Sequence, residues 1–132
     1  MTNLFTRTLG AALTALILIA PTGAFADGGT TKGTFAGAND HVTTGGVTIV
    51  KTADGGAVVI LDTDFSLDGA PDPRVGLGKD GAFDVAAELG KLGQNTGLQV
   101  FFVPASVNVD DYNEVYIWCL EFSVALGVAP LI

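Results

Sequence analysis

One cysteine, one histidine and one tryptophan carry most of the chemistry this chain can offer: Cys119, His41 and Trp118. A thiol can cycle between oxidation states, and it can also bind a soft metal such as haem iron or copper. An imidazole can complete such a ligand set. Trp118 lies next to Cys119, and Phe122 follows three residues later. Both could keep a site dry, which helps to set a redox potential. Other constellations are thin. With a single His41 there is no two-histidine metal site and no blue-copper set of two histidines and a cysteine. There is no Cys-x-x-Cys pair, phosphate-binding glycine loop or Gly-x-Ser-x-Gly elbow. A hydrolytic Cys119–His41 pair would need a thiol open to substrate, which a core-facing strand position does not offer. Cys119 is therefore the candidate reaction centre, and Cys119, His41 and Trp118 are the candidate cofactor-binding residues. No metal ligand is assigned. Haem is the one cofactor the donors suggest, although the usual covalent haem motif is absent. The competing reading is that Cys119 only packs, since free cysteine is among the most buried residue types, and that His41 only bonds loop backbone.

Four carboxylates, Asp62, Asp64, Asp68 and Asp72, fall within eleven residues. Oxygen-rich loops bind Ca²⁺, but this spacing lacks the helix-loop-helix pattern and a closing Glu. A solvated acidic loop is the expectation.

The elements that must position these residues read as short strands. Glu114 to Val124 is rich in aromatic and β-branched residues and holds no Gly or Pro, so one strand is expected there. Alternation places Tyr116, Trp118, Leu120 and Phe122 on one face, with Val115, Ile117 and Cys119 on the other. Cys119 is then mid-strand. Gly33–Gly37, Gly46–Lys51, Ala57–Leu61, Arg74–Leu77 and Leu98–Pro104 read as further strands. Asp54-Gly55-Gly56 and Lys79-Asp80-Gly81 read as turns. Asp62–Pro73 reads as a long loop and Val128–Ile132 as a terminal edge strand. Val85–Leu92 has mild helical spacing, with strand as the alternative. Val109–Tyr112 reads as a helical turn capped by Asn108. The expected fold is all-β: an antiparallel β-sandwich or barrel-like single domain with at most one or two short helical turns.

The first 26 residues have the pattern of a secretory signal peptide. Arg7 precedes an apolar run from Leu9 to Ala20, and Ala24-Phe25-Ala26 is a small-x-small cleavage site. The run is too short for a confident membrane span, which takes about 20 residues. The expected mature domain is 27–132, periplasmic or secreted, with no stable membrane span once the leader is cleaved. It carries five Lys and Arg against fourteen Asp and Glu, a net charge of −9. Such a surface repels nucleic acid and anionic membrane; it suits plain solubility first, and also cation binding or a basic redox partner. A single cysteine in an exported chain excludes an internal disulfide.

The segment Tyr116-Ile-Trp-Cys-Leu-Glu-Phe-Ser-Val-Ala-Leu-Gly-Val-Ala-Pro-Leu131 resembles the C-terminal signature of the electron-transfer DM-thirteen domain, found also in Skeletor-type proteins. Gly33-Thr-Phe35, Asp40-His41 with Gly45-Gly46, the Asp64–Asp72 loop, Leu89–Leu92, Asn95-Thr-Gly97 and Val103-Pro104 match in order. Ala70 and Pro73 depart from the loop's usual Gly-Pro-Asp. The resemblance implies a compact exported β domain with Cys119 as its signature cysteine, acting in redox or electron transfer through a bare thiol or a bound group such as haem. That makes it an electron carrier rather than an enzyme with its own substrate. The alternative is a non-enzymatic binding or structural module.

Overall fold

The computed structural model describes residues 29–132; the expected leader, 1–26, lies outside them. Eleven strands are present: β1 (Thr30–Thr34), β2 (Ala36–Gly37), β3 (Thr43–Thr44), β4 (Gly46–Lys51), β5 (Ala57–Leu61), β6 (Ser66–Leu67), β7 (Pro73–Lys79), β8 (Ala82–Lys91), β9 (Gln99–Val103), β10 (Glu114–Cys119) and β11 (Val124–Pro130). They form one sheet in the order β1-β4-β5-β9, a second in the order β2-β11-β10-β7-β8, and a small β3-β6 ribbon. All pairings are antiparallel. This is the sandwich-like all-β architecture expected from the short strands and close turns. Among the described residues no helix is long and apolar enough to cross a membrane.

Alternation explains the core. Val47 and Ile49 of β4, with Val59 and Leu61 of β5, face Val75, Leu77, Val115, Ile117, Cys119 and Leu126 of the second sheet. Their neighbours along each strand point outward. The β4–β5 hairpin turns at Asp54-Gly55-Gly56. Gly55 has φ +90° there, and the Asp54 carboxylate accepts from the Gly56 N–H. The 3₁₀ turn at Val109–Asp111 is capped by Asn108, whose side chain accepts from the Asp110 N–H. One edge is closed across the two sheets: Lys32 and Ile132 exchange backbone hydrogen bonds of 3.3 and 2.8 Å.

Four sequence expectations change. The strand begun at Glu114 ends at Cys119 instead of running to Val124. Leu120–Ser123 is a turn in which Ser123 takes φ +52°, and β11 returns beside β10. Cys119 is thus the last residue of its strand, not a mid-strand one. Leu120 and Phe122 leave the Tyr116–Trp118 face and stand exposed in that turn. The terminal strand starts earlier, at Val124, and lies between β10 and β2. The long acidic loop contains β6, paired with β3. Val85–Leu92 belongs to a ten-residue strand, not a helix. Register shifts between Val75 and Gly78 break the regular two-residue alternation of β8. The helix-like spacing of Val85, Leu89 and Leu92 marks no common face, since Val85 is exposed and Leu92 is buried beyond the end of β8.

Candidate functional site

β10 divides the chemistry between its two faces. Inward, Cys119 is 1 % exposed and lies in the core cluster with Val115, Ile117 and Leu126. Its register partners are Pro73 on β7 and Val124 on β11. The Leu120 N–H donates to the Asp72 carbonyl at 3.0 Å and fixes the chain where the strand ends.

Outward, Trp118 stacks on Phe83 of β8, with ring centroids 4.4 Å apart and planes 13° apart. Tyr116 meets both rings, Phe83 at 5.7 Å and Trp118 edge-on at 6.4 Å. The rings have room because β7 places glycine beneath them. A Cβ on Gly76 would run into the Phe83 ring, and one on Gly78 into the Tyr116 ring. Aromatic rings laid over strand glycines recover packing that a bare backbone would lose. Burial, then the neighbouring Glu114 carboxylate, pushes the Tyr116 hydroxyl up to about 12. Beside the stack, Arg74 pairs with Asp72 at 2.9 Å and Glu88 at 3.2 Å.

The aromatic face borders an open cleft of about 430 Å³ lined by Lys79, Ala82, Phe83, Asp84, Asp111 and Tyr112. Tyr112 donates its hydroxyl to the Asp84 carboxylate at 2.6 Å. That bond holds Asp84 below the usual carboxylate range and raises Tyr112. Tyr112 also lines a second cavity of about 160 Å³, between Thr31, Ile49 and Leu131.

His41 sits in the loop between β2 and β3. Asn39 and Asp40 turn the chain there with φ +53° and +66°. His41 Nδ1 lies 2.9 Å from Asp68, whose second oxygen accepts from the Val42 N–H. The His41 bond, then the Val42 N–H, lowers the Asp68 carboxyl. The remaining acidic-loop carboxylates also have separate tasks. Asp62 accepts from the Thr48 hydroxyl, Asp64 from the Gly46 N–H, and Asp72 from Arg74. They do not converge, and among the described residues no group of three or more His, Cys, Asp or Glu side chains is placed to hold a metal ion.

Cys119 and Trp118 are therefore chain neighbours on opposite faces. His41 stands apart from both, on the far side of β11. The Asn39 side chain donates to the Ala125 carbonyl and the Ala38 N–H to the Leu126 carbonyl. Among the described residues no hydrogen bond joins His41 to Cys119. Phe83, Tyr112, Asp84 and the two glycines were not singled out by sequence reasoning. The usable signal was Arg74-Val-Gly-Leu-Gly78, which puts glycine at alternate positions of an otherwise apolar strand.

Residues 34–131 match the family described as Electron transfer DM13. The chain belongs to the DM13 family. No curated protein and no solved structure matches it. The match covers the whole described sandwich except the start of β1 and the last residue, so the electron-transfer description applies to the unit that holds Cys119, Trp118 and His41 together. For a haem in this DM13 domain, the donor set is a poor fit. His41 keeps Nε2 free for a ligand while Asp68 orients the ring. Cys119, however, is sealed in the core, and neither cavity described above is lined by Cys119 or His41.

Proposed function

We propose that this DM13 domain is an exported electron-transfer module in which Cys119 serves as a bare thiol and Trp118 links it to the protein surface. The family match over residues 34–131 carries the reading. The geometry supports it at one point: the only thiol is bonded through the backbone to the tryptophan of a stacked aromatic cluster. His41, oriented by Asp68, is proposed as a polar group for docking or proton exchange at the same domain. The excess of acidic residues suits a basic partner, and the leader pattern in 1–26 supports a periplasmic or secreted location. A second reading has its own observation. Cys119 is 1 % exposed among aliphatic side chains, which is what a binding or structural module with a purely packing cysteine requires.

Thiol trapping separates the two. Protein poised in oxidising and then reducing buffers is denatured in an alkylating agent and weighed. Reversible loss of the Cys119 adduct supports the redox module. A thiol that stays fully alkylatable at every potential assigns Cys119 to packing.

A further inference from the structure

The aromatic face holds groups able to carry an electron that do not depend on the thiol. Trp118 and Phe83 are stacked at 4.4 Å. Phe83 lines the cleft that also holds Tyr112, and Asp84, the next residue in the chain, accepts the Tyr112 hydroxyl at 2.6 Å. Indole and phenol are the side chains most easily oxidised by one electron after thiols, and a phenol gives up its electron readily only when its proton has somewhere to go. The carboxylate bonded to Tyr112 is such a place.

We propose that Trp118, Phe83 and Tyr112 form a surface relay for single oxidising equivalents, which ends as a neutral radical on Tyr112 with its proton on Asp84. The reaction partner is a one-electron oxidant of the metal-complex class. It takes one electron from Trp118 and leaves an indole radical cation. Tyr112 returns one electron to the indole by way of Phe83, which is stacked on Trp118 and lines the same cleft as Tyr112. The Tyr112 O–H bond breaks and its proton moves to Asp84. The products are the reduced oxidant, restored Trp118, a Tyr112 phenoxyl radical and a neutral Asp84 acid. A one-electron donor reverses the sequence. Gly76 and Gly78 make the relay compact, because any side chain there would displace the Phe83 or Tyr116 ring. Tyr116, packed against both Phe83 and Trp118, is the competing terminus. Tyr112 is preferred because it holds the 2.6 Å bond and lines an open cleft that a partner can reach. The relay rests on the electron-transfer reading for its use, but not on Cys119.

The test is transient absorption of the protein with photogenerated tris(bipyridine)ruthenium(III). The broad visible band of the indole radical should decay into the narrow near-ultraviolet band of a tyrosyl radical. Tyr112→Phe and Asp84→Asn keep the side-chain shapes, and each should slow that conversion at least about tenfold, the effect of roughly 1.4 kcal/mol on a barrier. Tyr116→Phe should leave it unchanged. Conversion that survives Tyr112→Phe, or that is lost in Tyr116→Phe, overturns the assignment. Cys119→Ser should leave the conversion intact, and its loss there would place the hole on the thiol and overturn the relay. Because thiol trapping reads only Cys119, failure of the relay and failure of the thiol reading are seen separately.

Discussion

Along its inner face β10 sets Val115, Ile117 and Cys119 against the opposite sheet, and none is more than 1 % exposed. Along its outer face the same strand sets Tyr116 and Trp118 across the glycines of β7, and Trp118 keeps contact with solvent. The inner face is closed by another layer of protein. The outer face is covered only by its own rings, which fit because β7 gives up side chains at Gly76 and Gly78. The difference bears on function. A group on the inner face reacts only if the sandwich opens or if electrons pass through it. Trp118 on the outer face meets a partner with no rearrangement, whereas Tyr116 beside it is buried. One strand thus presents a protected redox-capable side chain and an accessible one at adjacent positions.

The largest effect should come from breaking the inner face. Ile117→Ala removes a fully buried side chain and is expected to cost about 4 kcal/mol in urea unfolding, through lost burial plus a cavity, while Trp118 fluorescence in the folded state stays near wild type. Gly78→Ala attacks the outer face. Its Cβ would meet the Tyr116 ring and the Ala82 carbonyl, so a loss of about 2 kcal/mol is expected, this time with a shifted Trp118 emission. If the two variants changed fluorescence alike, the faces would not be independent. Cys119→Ser should cost about 1.5 kcal/mol, because it buries a hydroxyl among aliphatics; a neutral result would mean that water or a partner group reaches the site.

The smallest effect is in pH dependence. Asp84 is held below its ordinary range by Tyr112, and Asp68 by His41. A carboxyl depressed in the folded state contributes stability that is complete above its unfolded value of about 4 and is lost as pH falls through the folded value. The acid limb of Tm against pH should therefore flatten in Tyr112→Phe and in His41→Ala. Tyr116 has the opposite sign. With its hydroxyl pushed up to about 12, its contribution is complete below about pH 10 and lost as pH rises toward the folded value. A spectrophotometric titration should show both tyrosines ionising above the ordinary range, with Tyr116 last, and Tyr116→Phe should remove that last step.

Much of this was legible in the residues. Gly46–Lys51 and Ala57–Leu61 were read with their observed bounds, because alternation and an Asp-Gly turn are local signals. The inner set Val115, Ile117 and Cys119 followed from the same alternation. What escaped depended on distant partners. Nothing local stops the strand at Cys119: Leu120–Ser123 has good strand propensity, and the turn there is imposed by the pairing of β11 with β10. β8 was obscured by bulges that only its ladder with β7 defines. The Tyr112–Asp84 bond joins residues 28 apart in sequence, and Phe83 became visible as a partner of Trp118 only once β7 lay between β10 and β8.

The antiparallel pairing of β2 with β11 at Gly37 and Gly127, and the bonds that tie Lys32 to Ile132, have a consequence for the order in which the molecule is made. The second sheet cannot be completed, nor the edge between the sheets closed, until the ribosome has supplied β11. Before that, β2 has no ladder to join, and the inner face of β10 lacks its neighbour. Pairings this far apart in sequence carry a large loop-closure cost and form slowly. A nascent chain of this topology therefore cannot close the core between its two sheets before β11 has been made, although the first sheet is complete in sequence by Val103.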